Sequence, residues 1–172
     1  MATGIEQGPE EVRAEENGGG IGQQQLVVFK LGGEEFGVDI TQVREIIRNG
    51  DLTVVPNAAE FVKGVINLRG QITTIIDLRR KLGLPDKEDG DEQQERVIVV
   101  EVGKNIIGMA VDAVSEVTYL SESDIDEVPA MVKENIGSDY LKGVGKLPNR
   151  LLILIDLKRV LQGAEMGVMQ PA

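Results

Sequence analysis

The sequence predicts a mainly β protein, built from two small closed barrels that share buried surface. Valine and isoleucine together number 37 against 15 leucines, and β-branched residues favour strands. Short apolar stretches alternate with turns that contain glycine or proline, which is typical of short strands. The second half of the chain also repeats the first. One copy of about 60 residues has too small a core to be stable alone, so we expect the two copies to pack together.

The repeat has two offsets. At an offset of 71, Leu26–Phe29 matches Val97–Val100, and at an offset of 79, Lys63–Val65 matches Lys142–Val144. Eight extra residues in the second half reconcile the offsets, and the polar stretch Ser121–Ser138 is where we expect them. The chain therefore contains two copies of one module, at about 26–84 and 96–162.

Both copies show the same order of elements. An apolar strand is followed by a glycine turn and a second strand, as in a hairpin. A short strand around Lys-Gly-Val, a turn and a strongly apolar strand come next, and an aspartate precedes a short amphipathic helix. The predicted bounds are 26–31, 72–76 and 78–83 in the first copy, and 97–102, 151–155 and 157–162 in the second. Five short strands favour a closed barrel, because closure removes exposed edges.

Acidic residues are concentrated outside the two modules. Residues 1–25 and 86–95 carry nine of the eleven net negative charges. The domain prediction is therefore a disordered acidic and glycine-rich leader (1–23), a first barrel (24–85), an acidic loop (86–95), a second barrel (96–163) and a tail (164–172). The leader and the loop are too polar to bury, so we expect both to be mobile.

The composition excludes several functions. Without Cys or His, the chain has no thiol nucleophile, no Ser–His pair and no Cys/His zinc site. A net charge of −11 disfavours nucleic acid and anionic membranes, and no apolar stretch is long enough to insert in a bilayer. Two alternatives stay open: an enzyme that uses Asp and Glu alone, such as a glycosidase, and a nucleic-acid-binding module. Five aromatic residues are few for sugar stacking or base stacking.

Two sequence features resemble catalytic motifs. Asp77 and Asp156 are equivalent in the repeat and could form a carboxylate pair, but each precedes a helix and is better interpreted as an N-cap. Gly143–Lys146 resembles part of a phosphate loop, but it lacks the following Ser or Thr and the upstream glycine. Close backbone approach in a barrel is the preferred interpretation of those glycines.

Glu45 and Arg69 have no such simple explanation. The second copy retains the acid as Glu116 but has Pro148 in place of the arginine, so that charge is lost there. Contact with a partner and a structural ion pair both remain open as explanations for Arg69.

Three stretches of the first copy are specific enough to compare with a known family: Phe36–Ile40, Phe61–Gly70 (FVKGVINLRG) and Ile76–Arg79. They resemble the CheW family of chemotaxis coupling proteins, most specifically in Phe61–Gly70, and the resemblance runs from about residue 24 to residue 163. In the second half it extends over Val114–Val117 and Tyr140–Gly143. Full-length kinases and receiver-containing relatives of this family are longer than this chain.

The resemblance implies two SH3-like five-stranded barrels on a common hydrophobic core, no catalysis and no cofactor. It implies a cytoplasmic adaptor between the regulatory domain of a CheA-type histidine kinase and the cytoplasmic tips of chemoreceptors, recruited to membrane receptor arrays through these partners. Receptor coupling is expected at Val43, Glu45, Gly64, Arg69 and Val117, and kinase binding at Gly70, Gln71 and Ile72. We expect Glu45 and Arg69 to pair at the rim of the groove between the barrels, and we treat Ile72 as a candidate core residue.

Overall fold

The computed structural model describes residues 22–48, 50–85, 92–136 and 138–162. These form two β-sheets with a few short helices, which confirms the mainly β class and the two β units. The strands are β1 (Gln23–Leu31), β2 (Glu34–Asp39), β3 (Val43–Ile47), β4 (Val62–Leu68), β5 (Gln71–Asp77), β6 (Arg96–Val102), β7 (Asn105–Val111), β8 (Ala113–Ser121), β9 (Ile125–Asp126), β10 (Leu141–Leu147) and β11 (Arg150–Ile155).

Helices are short and lie between strands or after them. The α-helices are α1 (Leu78–Lys81), α2 (Ala130–Asn135) and α3 (157–162). The 3-10 helices are Ile40–Gln42, Glu92–Gln94, Glu122–Asp124 and Ser138–Tyr140. None of the helices in the described ranges is long and apolar enough to cross a membrane.

Each sheet combines strands from both copies of the repeat. The six-stranded sheet has the order β8-β1-β2-β11-β10-β9, and the five-stranded sheet has the order β3-β6-β7-β5-β4. The first hairpin of the first copy, β1–β2, therefore lies in the sheet formed by the later strands of the second copy, where β2 pairs with β11 in parallel. The first hairpin of the second copy, β6–β7, lies in the sheet formed by the later strands of the first copy, where β7 pairs with β5 in parallel. The prediction that 24–85 forms one barrel and 96–163 the other is corrected by this topology.

The two chain crossings lie at equivalent positions. The 3-10 helix Ile40–Gln42 carries the chain from β2 to β3, and Asp112 alone separates β7 from β8. Asp112 Oδ2 accepts a hydrogen bond from the Gly32 amide at 2.9 Å, and its carboxylate also pairs with Arg79. The side chains of Arg79 and Asp112 are only 12% and 17% exposed, so this ion pair is largely buried.

Three apolar clusters fill the molecule. The largest cluster lies between the sheets. It includes side chains from one face of β1 and one face of β6, such as Val27, Phe29 and Ile98. A smaller cluster lies inside each sheet: Leu26, Val28 and Leu152 belong to one, and Ile75, Val97 and Val99 to the other. Both faces of β1 and β6 are thus buried, which explains their uninterrupted apolar sequence. The prediction of a shared hydrophobic core is confirmed.

Several local predictions are also confirmed. Asp77 and Asp156 each cap a short helix: the Asp77 carboxylate accepts from the Arg80 amide at 3.4 Å, and the Asp156 carboxylate from the Lys158 amide at 3.1 Å. A Cβ on Gly143 would lie 2.8 Å from the Asp126 carbonyl oxygen, so close backbone approach explains that glycine. The helix α2 lies within the stretch where the extra residues were expected.

The expected mobility of 1–23 and 86–95 concerns residues that lie mostly outside the described part of the chain. Of these residues, Gln23 belongs to β1, and Glu92–Gln94 forms a 3-10 helix. The predicted tail, 164–172, lies wholly outside the described residues.

Candidate functional site

Glu45 and Arg69 form a bidentate ion pair, as expected from the sequence. Arg69 Nη2 donates to Glu45 Oε1 at 3.0 Å, and Nη1 donates to Oε2. The arginine side chain is 75% exposed and the glutamate 23%, so the guanidinium lies outside the carboxylate. The pKa of Arg69 is raised above its ordinary value. Hydrogen bonding to Glu45 is the larger cause, and the negative charge of Glu45 is the second. Because folding raises the pKa of Arg69, the ion pair's contribution to stability is fully present below the ordinary pKa of arginine and is lost only as the pH rises through the higher pKa of the folded state. The guanidinium is therefore charged at neutral pH.

The arginine lies on a strained two-residue turn. Arg69 has φ 51° and Gly70 has φ 85°, and Leu68 pairs with Gln71 across the hairpin. Two positive φ values in succession define a type I′ turn, for which Asn-Gly is the preferred sequence. The Asn67 side chain accepts a hydrogen bond from the Gly70 amide at 2.9 Å. A bulky residue in this conformation has a conformational cost, and such costs occur most often at functional positions.

A cleft of about 240 Å³ opens beneath the ion pair. Its polar lining comes from Arg44, Glu45, Arg69, Gln71 and the buried Thr73. Its apolar lining comes from Leu68, Val99 and Ile106. Leu68 and Val99 belong to the small cluster inside the five-stranded sheet, so the cleft extends inward from the ion pair to the edge of that core.

The three residues predicted for kinase binding are all exposed. Gly70 and Gln71 lie at the tip of the β4–β5 hairpin, and Ile72 is 69% exposed. The expectation that Ile72 might belong to the core is therefore wrong. Ile72 is on the same face of β5 as Ile76, which packs in the shared core, but Ile72 lies beyond the end of that core. Gln71 also lines the cleft, so the predicted kinase surface adjoins the Glu45–Arg69 pair.

The structure does not place the other three predicted receptor residues in the cleft. Val43 and Val117 are partly buried and pack against the core between the sheets. Gly64 is buried, and a Cβ there would lie 2.5 Å from the Thr53 carbonyl oxygen. Gly64 is therefore required for the close approach of β4 to Thr53, as Gly143 is in the second copy.

The second copy retains an arginine–glutamate contact that the sequence analysis missed. Arg150 pairs with Glu116, and its Nε lies 3.2 Å from Glu35 Oε1. Arg150 is equivalent to Gln71 rather than to Arg69, so it approaches the glutamate from the strand instead of the turn. The inference that Pro148 removed the charge from this copy is corrected: the arginine is supplied two residues later. Arg150 itself, two residues after Pro148, is the sequence feature that could have suggested a replacement charge.

Lys81 lies between aromatic rings of the two copies. The Lys81 ammonium lies 4.0 Å from the centre of the Phe61 ring and 4.9 Å from that of Tyr140. Phe61 and Tyr140 are equivalent in the repeat, so Lys81 is shared by matching positions of the two copies. This contact joins the two copies, and the sequence analysis did not predict it.

Five of the described carboxylates are engaged by the fold itself. Asp77 and Asp156 are engaged in capping, and Glu45, Asp112 and Glu116 are paired with arginines. Within the described ranges, no three acidic side chains are grouped as ligands for a metal ion.

Comparison with known proteins identifies one family. The sequence model of the CheW-like domain matches residues 25–165. The chain is 39% identical over 147 residues to the chemotaxis protein CheW of Klebsiella aerogenes, covering 84% of this chain and 86% of that protein. It is 36% identical over 138 residues to CheW of Bacillus subtilis, covering 80% and 86%. The crystal structure of the scaffolding protein TtCheW from Thermoanaerobacter tengcongensis matches with a TM-score of 0.71 and 34% identity, over 78% of this chain and 84% of that one.

Proposed function

The chain belongs to the CheW-like family of non-catalytic chemotaxis adaptors, and we propose that it couples a CheA-type histidine kinase to the cytoplasmic tips of chemoreceptors. The observation that carries the proposal is the Glu45–Arg69 pair, because it holds an exposed charge beside an exposed apolar residue, Ile72. In this proposal the protein acts at the membrane through its partners, and no nucleic acid is involved.

The kinase is proposed to bind at Gly70, Gln71 and Ile72. The Ile72 side chain is 69% exposed, so a partner that covered it would remove apolar surface from water. Gly70 and Gln71 beside it at the hairpin tip are exposed as well. The kinase's regulatory domain is expected to be homologous to this chain, so the contact would join two β modules end to end.

The receptor is proposed to bind along the groove between the sheets. A helical hairpin fits a groove with apolar walls and a few fixed charges. Val43 and Val117 lie at the margin of the shared core, and Glu45 follows Val43 on the same strand. Arg69 would supply the charge at the rim, and Gly64 would contribute by holding β4 in place.

Because Gln71 and Arg69 line one cleft, the two proposed surfaces are contiguous. A single hairpin, β4–β5, would then contact the kinase at its tip and support the receptor groove at its side. This arrangement gives the adaptor a direct route by which receptor binding could alter the kinase contact.

The proposal is tested by mixing the purified chain with the kinase's regulatory domain and with a receptor cytoplasmic fragment. We expect a complex with each partner alone and a ternary complex with both, measured by size-exclusion chromatography with light scattering. Double-stranded DNA serves as the negative control. A chain that binds neither partner, or that binds only one of them at a time, would contradict the proposed coupling.

A further inference from the structure

We propose that the cleft of the five-stranded sheet is an anchor pocket that receives one branched aliphatic side chain, of about leucine size, from the kinase's regulatory domain. This inference rests on the proposed kinase contact at Gly70–Ile72 and specifies its chemistry. It follows from a comparison of the cleft with the equivalent place in the six-stranded sheet.

The equivalent place is filled by this chain's own residues. Leu152 replaces Thr73 there, is fully buried, and packs with Leu26, Val28 and Leu154. Arg150 replaces Gln71 and covers the opening by bridging Glu35 and Glu116. The five-stranded sheet has the same strand arrangement with a smaller residue at each of these two positions. Leu152 fills its place in the six-stranded sheet, whereas the smaller Thr73 lies at the bottom of an open cleft in the five-stranded sheet.

The lining of the cleft favours an aliphatic group. Leu68, Val99 and Ile106 form its apolar inner part, and an aliphatic group placed against them would lose contact with water without giving up a hydrogen bond. The Thr73 hydroxyl already donates to the Gln71 carbonyl oxygen, at 3.5 Å. A cavity of about 150 Å³ is large enough for benzene, so about 240 Å³ has room for a branched aliphatic side chain.

The rim of the cleft suits a protein contact rather than a free small molecule. Arg69 and Glu45 border the apolar part with charge, and the neighbouring Gly70 and Gln71 are exposed. A buried apolar anchor surrounded by polar residues that exclude water is the usual arrangement at the centre of a protein interface.

Two substitutions of one residue test the pocket. Thr73→Leu fills the cleft from within, as Leu152 does in the other sheet, whereas Thr73→Val removes the hydroxyl and leaves the volume unchanged. Affinity for the kinase's regulatory domain is measured by titration calorimetry. We expect Thr73→Val to bind within about twofold of wild type and Thr73→Leu to bind about tenfold more weakly or worse, with an unchanged or higher melting temperature. Wild-type affinity in a folded Thr73→Leu variant would overturn the proposal.

A measurement on the unmodified chain covers the case in which Thr73→Leu does not fold. Methyl NMR spectra are recorded with and without the kinase's regulatory domain. We expect the methyl signals of Leu68 and Val99 to shift and those of their counterparts, Leu147 and Val28, to stay in place. A complex that forms without any shift at Leu68 and Val99 overturns the anchor pocket but leaves the proposed adaptor function intact. Absence of any complex overturns both.

Discussion

Glu45 and Glu116 occupy equivalent positions in the two copies, yet each is paired with an arginine from a different place in the facing hairpin. Arg69 reaches Glu45 from the turn itself, whereas Arg150 reaches Glu116 from the first residue of β11. Arg150 is bound to two carboxylates and is less exposed, while Arg69 extends outward from a left-handed turn. The arginine of the first copy is therefore the more exposed of the two, whereas the arginine of the second copy is held by two carboxylates of the fold.

Charge reversal at Arg69 should impair receptor binding far more than kinase binding, because Arg69 only borders the proposed anchor pocket, whereas its exposed charge is proposed to face the receptor. Arg69→Glu places two carboxylates together in an exposed setting, so the chain stays folded while the surface charge changes sign. The exchanged pair Glu45→Arg/Arg69→Glu should remain defective, because the outward charge is still negative. Binding to a receptor fragment and to the kinase is measured separately.

Arg159→Glu is the matched control, since it makes the same charge change outside the cleft, and it should bind the receptor normally. If the exchanged pair restores receptor binding, the role of Arg69 is internal to the pair. If Arg69→Glu alone binds normally, the residue has neither role.

Gly70→Ala should weaken kinase binding more than its loss of stability explains. Gly70 has φ 85° and no atom within 4 Å of an added Cβ, so the cost is conformational, about 1–3 kcal/mol. Gly33→Ala is a matched control, because Gly33 has φ 90° and equally open surroundings in the β1–β2 turn. Urea unfolding should show similar losses for both variants. Equal kinase affinity in the two variants would remove the β4–β5 turn from the kinase surface.

Gly64→Ala and Gly143→Ala should each destabilise the fold by about 1–3 kcal/mol, because the new methyl group meets a backbone carbonyl oxygen. Thermal unfolding measures the loss. The fraction that remains folded should bind the receptor with wild-type affinity. A Gly64→Ala variant of normal stability that fails to bind the receptor would instead show that Gly64 makes direct contact.

Asp112→Ala should destabilise the protein by about 3–5 kcal/mol, because it leaves the largely buried Arg79 without its partner and frees the Gly32 amide. Glu101→Ala removes the partner of Arg44 in an exposed pair and should cost about 0–1 kcal/mol. Urea unfolding compares the two variants. Similar small losses would mean that the chain crossing at Asp112 does not depend on this ion pair.

The repeat made much of this fold predictable. The offsets correctly paired strands, turns and capping aspartates, because equivalent residues meet equivalent packing demands. Even the strand bulges correspond: Arg44 is skipped between Val43 and Glu45 in β3, and Ser115 between Val114 and Glu116 in β8.

The exchange of hairpins was not predictable from the offsets, since they state which residues are equivalent but not which copy pairs with which. The exposure of Ile72 and the burial of Thr73 also run against their polarity. Ile72 is exposed because it lies beyond the end of the shared core, and Thr73 is buried because it faces the inside of the five-stranded sheet. The position of β5 relative to these two cores cannot be inferred from one sequence. Arg150 was missed because its partner lies on a strand of the same sheet, 34 residues away in sequence.

Co-sedimentation tests most directly whether this chain joins kinase and receptor. Membranes that contain a chemoreceptor are mixed with a CheA-type kinase, with and without the purified chain, and the kinase in the pellet is measured. We predict that the kinase sediments with receptor membranes when the wild-type chain is present, and far less with no chain or with the Arg69→Glu variant. An equal amount of pelleted kinase with and without the chain would contradict the proposed coupling.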